Sequence, residues 1–295
     1  MWIILALISA FCLGFYDIFK KLSVKDNNVP VVLMLNTLFG TLLMSPVFIS
    51  GFTTGQWGLA GDPQGHLLVV LKSVIVLSSW ILGYFAIKHL PLTIQGPINA
   101  SRPVMVLLGA IFIYGEVLNW MQWAGMILGF ASLFFISRIG SREGFSFRKS
   151  AWLWMSIGAT TLGAVSALYD KFLMRHYVAT DVQAWYSLYQ FILMAAVVII
   201  LRRFVPSHAG GRFRWTWAIP CISLFLTTAD LAYFYCLSKP DAMISVVSMI
   251  RRGSVIIPFL YGVLILHEKN IRRKAIDLGI LLISLLLLVA GSYIQ

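Results

Sequence analysis

The sequence predicts an all-α integral membrane protein of ten transmembrane helices, built as two inverted five-helix repeats. Three observations predict it. Hydrophobic residues make up 59% of the 295-residue chain and charged residues only 12%, against about 25% charged in an ordinary soluble domain. Apolar runs near the ~20 residues that cross a bilayer recur along the whole chain. Short motifs of the first half return in the same order in the second.

A soluble protein of this size could not cover so much apolar side chain with a polar surface; lipid removes that demand. The net charge of +12 would suit nucleic acid, but the basic residues stand in short clusters between apolar runs. That is the pattern of loops beside membrane spans, and no nucleic-acid partner is expected. Cys12, Cys221 and Cys236 fall inside apolar segments at spacings of neither a zinc site nor a disulfide framework, and read as small packing residues. Residues 2–19 have no basic stretch before them and Lys20-Lys21 after them, so they read as a first span and not a cleaved leader.

Spans are expected near 2–21, 29–50, 66–87, 92–114 and 117–137, then 151–173, 181–201, 215–237, 241–266 and 273–293. The first repeat is residues 1–138 and the second 151–295, joined by the polar loop 139–150 into one structural unit. Breaks between spans 4 and 5 and between 9 and 10 are short enough to force helical hairpins.

The repeat is carried by matched pairs. Tyr16-Asp17 recurs as Tyr169-Asp170, Tyr84-Phe85 as Tyr233-Phe234, Pro91 as Pro240 and Glu116 as Glu268, at offsets of 149 to 153 residues. A unit with an odd number of spans must insert its second copy upside down. Inverted repeats of this kind place a binding site near the midplane between the halves, as secondary transporters do. Loops after the odd-numbered spans hold 16 Lys and Arg; the opposite set holds only Lys171, Arg175 and Lys239. Enrichment of basic residues in cytoplasmic loops then predicts a protein of the inner (plasma) membrane with both termini outside.

Charge inside the spans is the chief functional signal, because an ion at mid-bilayer costs about 2.5–3.5 kcal/mol on insertion scales. Span 4 carries Arg102, in Asn99-Ala100-Ser101-Arg102-Pro103, and span 9 carries Arg251-Arg252. Arg102 and Arg251 are 149 residues apart, the offset of the Tyr84/Tyr233 and Pro91/Pro240 pairs. Guanidinium is always ionised and presents a fork suited to phosphate or carboxylate, which points to an anion site including Asn99. The competing reading is an internal ion pair with Asp230, Asp17 or Asp170. Asp17 and Asp170 are also the residues best suited to proton coupling.

The chain resembles the drug/metabolite transporter superfamily in its ten-helix branch with two EamA-type repeats. Tyr114-Gly115-Glu116 before Gln122-Trp123-Ala124-Gly125, and His267-Glu268 in the second half, carry the likeness. The run Arg251-Arg252-Gly253-Ser254-Val255-Ile256 is similar to that of the triose-phosphate/phosphate translocators. The resemblance implies that Arg102, Arg251 and Arg252 hold a substrate phosphate, although arginine stands here at two positions where those proteins have lysine.

Trp80 with Tyr84, and Trp185 with Tyr189, are four apart and share a helix face; with Tyr233 they are expected to shape the pocket. Glu116 and Glu268 are expected to cap the hairpin turns or pair with basic groups. Lys72 is expected to snorkel to the interface. Gly109, Gly125, Gly129 and Gly279 are expected at close helix contacts. A membrane enzyme is the rival class, but the five histidines are scattered and no nucleotide loop, zinc cluster or nucleophile elbow is present. The expectation is therefore a secondary transporter of a small anionic metabolite, with an exporter of amino acids, amines or drugs as the alternative. No cofactor or metal is expected; the partners are a small-molecule substrate and the bilayer, and the protein is a monomer or homodimer.

Overall fold

Each predicted span contains an α-helix in a computed structural model that describes residues 1–24, 27–54, 58–89, 98, 101–138, 151–204, 213–264 and 271–293. The helices are α1 (Trp2–Val24), α2 (Val29–Leu43), α3 (Ser45–Thr54), α4 (Pro63–His89), α5 (Arg102–Tyr114) and α6 (Trp120–Arg138). The second half holds α7 (Ala151–His176), α8 (Ala179–Phe204), α9 (Ala218–Leu237), α10 (Ile244–Arg252), α11 (Ile256–Leu264) and α12 (Ile271–Tyr293). Among the described residues no strand occurs. Among the described residues five helices are long and apolar enough to cross a membrane, or six if the α2–α3 pair, bent by 40°, counts as one span.

Several helices outrun the predicted spans: α4 starts at Pro63 and α7 continues to His176. Hydropathy marks where lipid ends, whereas backbone hydrogen bonding carries the helix on into the polar flank. Two spans expected to be continuous are interrupted. Span 2 bends at Met44, whose N–H donates to the Gly40 and Thr41 carbonyls before Pro46 opens the next helix. Span 9 breaks into α10 and α11 through a 3-10 turn, Gly253–Val255.

Two compact units divide the described chain: residues 1–77 with 172–240, and residues 78–171 with 241–295. Each takes helices from both halves of the sequence. In the first, α1 packs on α9, α2 on α8, and α9 on both α2 and α8. Side-chain hydroxyls bond carbonyls of neighbouring helices: Ser9 Oγ donates to Ala229 O at 2.7 Å and Thr41 Oγ1 to Ser187 O at 3.0 Å. Ser223 Oγ donates to Asn36 O at 2.9 Å. Such bonds hold helices together where lipid supplies no hydrophobic drive between them. Phe225 stacks on Phe15 and Phe19 at 5.2 and 5.5 Å. Cys12 and Cys236 are buried, and the Cys236 thiol faces the Trp2 carbonyl at 3.2 Å.

The second unit is pinned by a hairpin whose chemistry is local. Gly115 closes α5 at φ 64°, a left-handed conformation open to glycine, and its N–H donates to Ile111 O at 3.1 Å. Asn119 and Gln122 then form a reciprocal capping box for α6, each side-chain oxygen accepting from the other's N–H at 2.9 Å. The same residues reach α12: Asn119 Nδ2 donates to Gly291 O at 2.6 Å, and Ser284 Oγ donates to Gly125 O at 2.7 Å. A Cβ on Gly125 would meet Leu288 Cγ at 2.9 Å, and one on Gly129 would meet Met249 Cε at 2.6 Å. Gly109 is as tight against Leu168 of α7. Gly279 departs from the expectation, since among the described residues nothing lies within 4 Å of where its Cβ would be.

Candidate functional site

Arg102 is the first residue of α5, half-buried, with Ser101 before it and Pro103 in the first turn, where a proline costs no hydrogen bond. Arg251 and Arg252 occupy the last turn of α10, also half-buried, just before the break in span 9. α5 and α10 pack against each other within the second unit, so the arginine-bearing helices of the two sequence halves are neighbours. α5 also meets α7: a Cβ on Gly163 would fall within the guanidinium of Arg102, on its Nη2, Cζ and Nε atoms.

α10 is only nine residues long, and its N-cap Met243 makes no side-chain cap bond. The cap comes instead from the far end of the α5 hairpin. Glu116 Oε1 accepts from Ile244 N at 2.6 Å, and Oε2 accepts from Ser245 N at 3.1 Å and from the Ser245 hydroxyl. Just upstream, Lys171 Nζ donates to Ala242 O at 2.6 Å, with the lysine only 2% exposed. An acceptor thus meets the free N–H groups and a donor meets the carbonyl, as the backbone polarity demands. With a carboxylate at its N-terminus and two guanidinium groups in its last turn, α10 has its dipole matched at both ends. Glu116 does cap, but it caps α10 and not its own hairpin turn.

The remaining predicted residues divide between the units. Trp80, half-buried, lies on α4 in the second unit, and Asp170, 5% exposed, on α7. In the first unit, Tyr233 is 2% exposed with its ring 5.7 Å from Phe234. Asp230 is half-buried and, with Lys20 and Asp17, acts electrostatically on the Tyr16 phenol; Asp17 itself is exposed. Trp185 and Tyr189 do share a face of α8, and what joins them is His66: the Tyr189 hydroxyl lies 2.8 Å from His66 Nδ1 and the Trp185 ring edge-on at 4.5 Å. Asn99, Glu268 and His267, and the Tyr84 side chain, lie outside the described residues.

Lys72 overturns its expected role. It is 2% exposed, with its ammonium 4.4 Å from the Tyr186 ring centroid and 4.7 Å from that of Phe234. Two aromatic faces from α8 and α9 stabilise the charge by cation–π attraction, so the side chain turns inward instead of reaching the interface. Lys171, counted above among loop charges, is likewise buried. Among the described residues no three His, Cys, Asp or Glu side chains group as metal ligands would.

One polar clasp lies at the start of α4. Asp62 Oδ1 accepts from Gln64 N, and Oδ2 from the Tyr177 hydroxyl, both at 3.0 Å. The Tyr177 bond holds the Asp62 carboxyl below its ordinary value, and burial foremost pushes the Tyr177 phenol up. A lowered carboxyl contributes stability above the ordinary value of about 4 and loses it as pH falls through the lowered one. Tyr177→Phe is therefore expected to lower the melting temperature at pH 7 by an amount that shrinks as pH falls below about 4. An offset that stays constant through that range would show that the phenol serves packing alone.

Residues 1–138 match the model of the EamA-like transporter family. An "Uncharacterized transporter" of Archaeoglobus fulgidus is 29% identical over 141 residues, 48% of this chain and 49% of that protein. The chain thus matches about half the length of that relative. An "Uncharacterized transporter in cobO 3'region" of Sinorhizobium sp is 25% identical over 127 residues, 42% of this chain and 88% of that protein. A solved crystal structure, 18% identical, has a similar fold at a TM-score of 0.65, over 98% of this chain and 95% of its own.

Proposed function

Residues 1–138 match the model of the EamA-like transporter family, and from that likeness we propose that this multi-pass membrane protein is a secondary transporter. Its cargo is a small anionic organic metabolite, bearing phosphate or carboxylate, moved by alternating access. The observation that carries the reading is the packing of α5 on α10, which puts Arg102 and the Arg251-Arg252 pair on adjacent helices of one unit. The break at Gly253–Val255 supports it, because interrupted spans are where transporters build ion and substrate sites.

Trp80, Tyr84, Asn99, Tyr233, Asp230, Trp185 and Tyr189 are proposed from the sequence as further substrate-binding residues, and Asp17 and Asp170 for proton coupling. Burial of Asp170 favours it over the exposed Asp17. The two sequence halves are proposed as inverted repeats, with both termini outside the inner membrane. The phosphate side of the reading rests on the likeness of Arg251-Arg252 to the translocator pair.

The test is a thermal-shift screen of the purified protein against phosphorylated metabolites, carboxylates and organic cations. A ligand present at a hundred times its Kd stabilises the folded state by about 2.7 kcal/mol. Anions are expected to raise the melting temperature. A response confined to organic cations would replace the anion reading with the amine-exporter one.

A further inference from the structure

We infer that Gly163 is a positioning residue: by having no side chain it seats the Arg102 guanidinium against α7. The inference rests on the reading of Arg102 as an anion ligand. α7 carries Gly163 in mid-helix, where glycine is a poor helix former and alanine the best, so some requirement other than helix formation keeps the position empty. The volume a Cβ would fill is taken by the Nη2, Cζ and Nε atoms of Arg102. Gly158 and Gly83 make no such demand. A Cβ on Gly158 would meet Leu82 at 3.4 Å and one on Gly83 would meet Ala159 at 3.6 Å, both ordinary contacts.

α5 is tied to α7 by side-chain contacts at Tyr114, Gly109 and Met105, whereas the guanidinium is the flexible end of its side chain. The Tyr114 hydroxyl donates to the Leu168 carbonyl at 2.5 Å. Leu168 fills the gap over Gly109, and Thr161 Oγ1 lies 3.9 Å from Met105 Sδ. A methyl group at position 163 must therefore move the guanidinium and not the helix, by on the order of 1–2 Å to regain van der Waals separation. A bidentate fork tolerates little misplacement, since both N–H groups must point at the same anion.

The experiment is a double-mutant cycle of G163A and R102A on the purified full chain. Melting temperature is read without ligand and in rising inorganic phosphate or succinate. G163A is expected to weaken the apparent anion affinity about tenfold, the worth of one hydrogen bond to a charged group, and R102A at least as much. The double variant should be no weaker than R102A alone, and should melt higher than G163A because the clash is gone. If G163A fails to fold while the double variant folds, the seat is supported by that rescue. If both fail, Gly163 serves helix packing and the inference is overturned. If G163A binds anion normally while R102A does not, the positioning role falls and the anion site stands. If R102A binds like the unmutated protein, or the unmutated protein responds to neither anion, the anion reading falls and this inference with it.

Discussion

Alanine in place of Arg251 or Arg252 is expected to abolish anion uptake while leaving the protein folded in the membrane. Removing one partner of a desolvated charge contact costs roughly 2–5 kcal/mol, a thirtyfold or larger loss of affinity. Lysine at either position should restore only part, because it keeps the charge and loses the planar fork. The structure adds a competing role: both arginines sit in the last turn of α10, where a cation contributes about 0.3–1 kcal/mol against the helix dipole. If that were all, each alanine variant would melt slightly early and transport normally per folded molecule. If instead the arginines serve as an ion pair with Asp230, neutralising Asp230 beside them would restore stability. Uptake and melting temperature measured on the same reconstituted variants separate these outcomes.

Glu116→Ala is expected to be among the most destabilising single changes. It leaves the N–H groups of Ile244 and Ser245 and the Ser245 hydroxyl without their acceptor, in a segment where Ile244 and Ser245 are fully buried. Hydrogen bonds to a charged group contribute about 1.5–3 kcal/mol, and a buried donor left unmet costs a similar amount. A loss of about 3 kcal/mol or more is the expected result. Glu116→Gln keeps one carbonyl oxygen and should lose less. Because α10 carries Arg251 and Arg252 at its other end, fraying of its first turn should also weaken anion binding. A Glu116→Ala protein that melts and transports like the unmutated one would show that the α10 N-terminus finds another cap.

The sequence by itself determined the class of the protein. Hydropathy sets where helices lie because lipid forces every backbone group to bond within its own segment. The caps act over only three or four residues, Asn28 before α2, Gly115 after α5 and the Asn119/Gln122 pair before α6, but the span reading did not single them out. Charge singled out Arg102, Arg251 and Arg252 as candidate site residues, since an ion inside a span needs a reason to be there.

Only the tertiary structure decided which face of each helix meets which neighbour. In a soluble helix the polar stripe reveals the buried face, but a membrane helix is apolar all round and that periodic signal is lost. Ile4, Phe11, Phe112 and Trp154 are exposed here while Ala6, Val106 and Met126 are buried, and nothing in residue type separates the two sets. For the same reason Gly279 looked like a packing glycine and meets nothing among the described residues, while Gly163 gave no sign of the arginine against it. The inward turn of Lys72 depends on rings from two other helices, and the reach of Glu116 depends on α10 starting beside the α5 hairpin. These contacts span more than a hundred residues of chain, a distance over which no local rule of spacing or propensity acts.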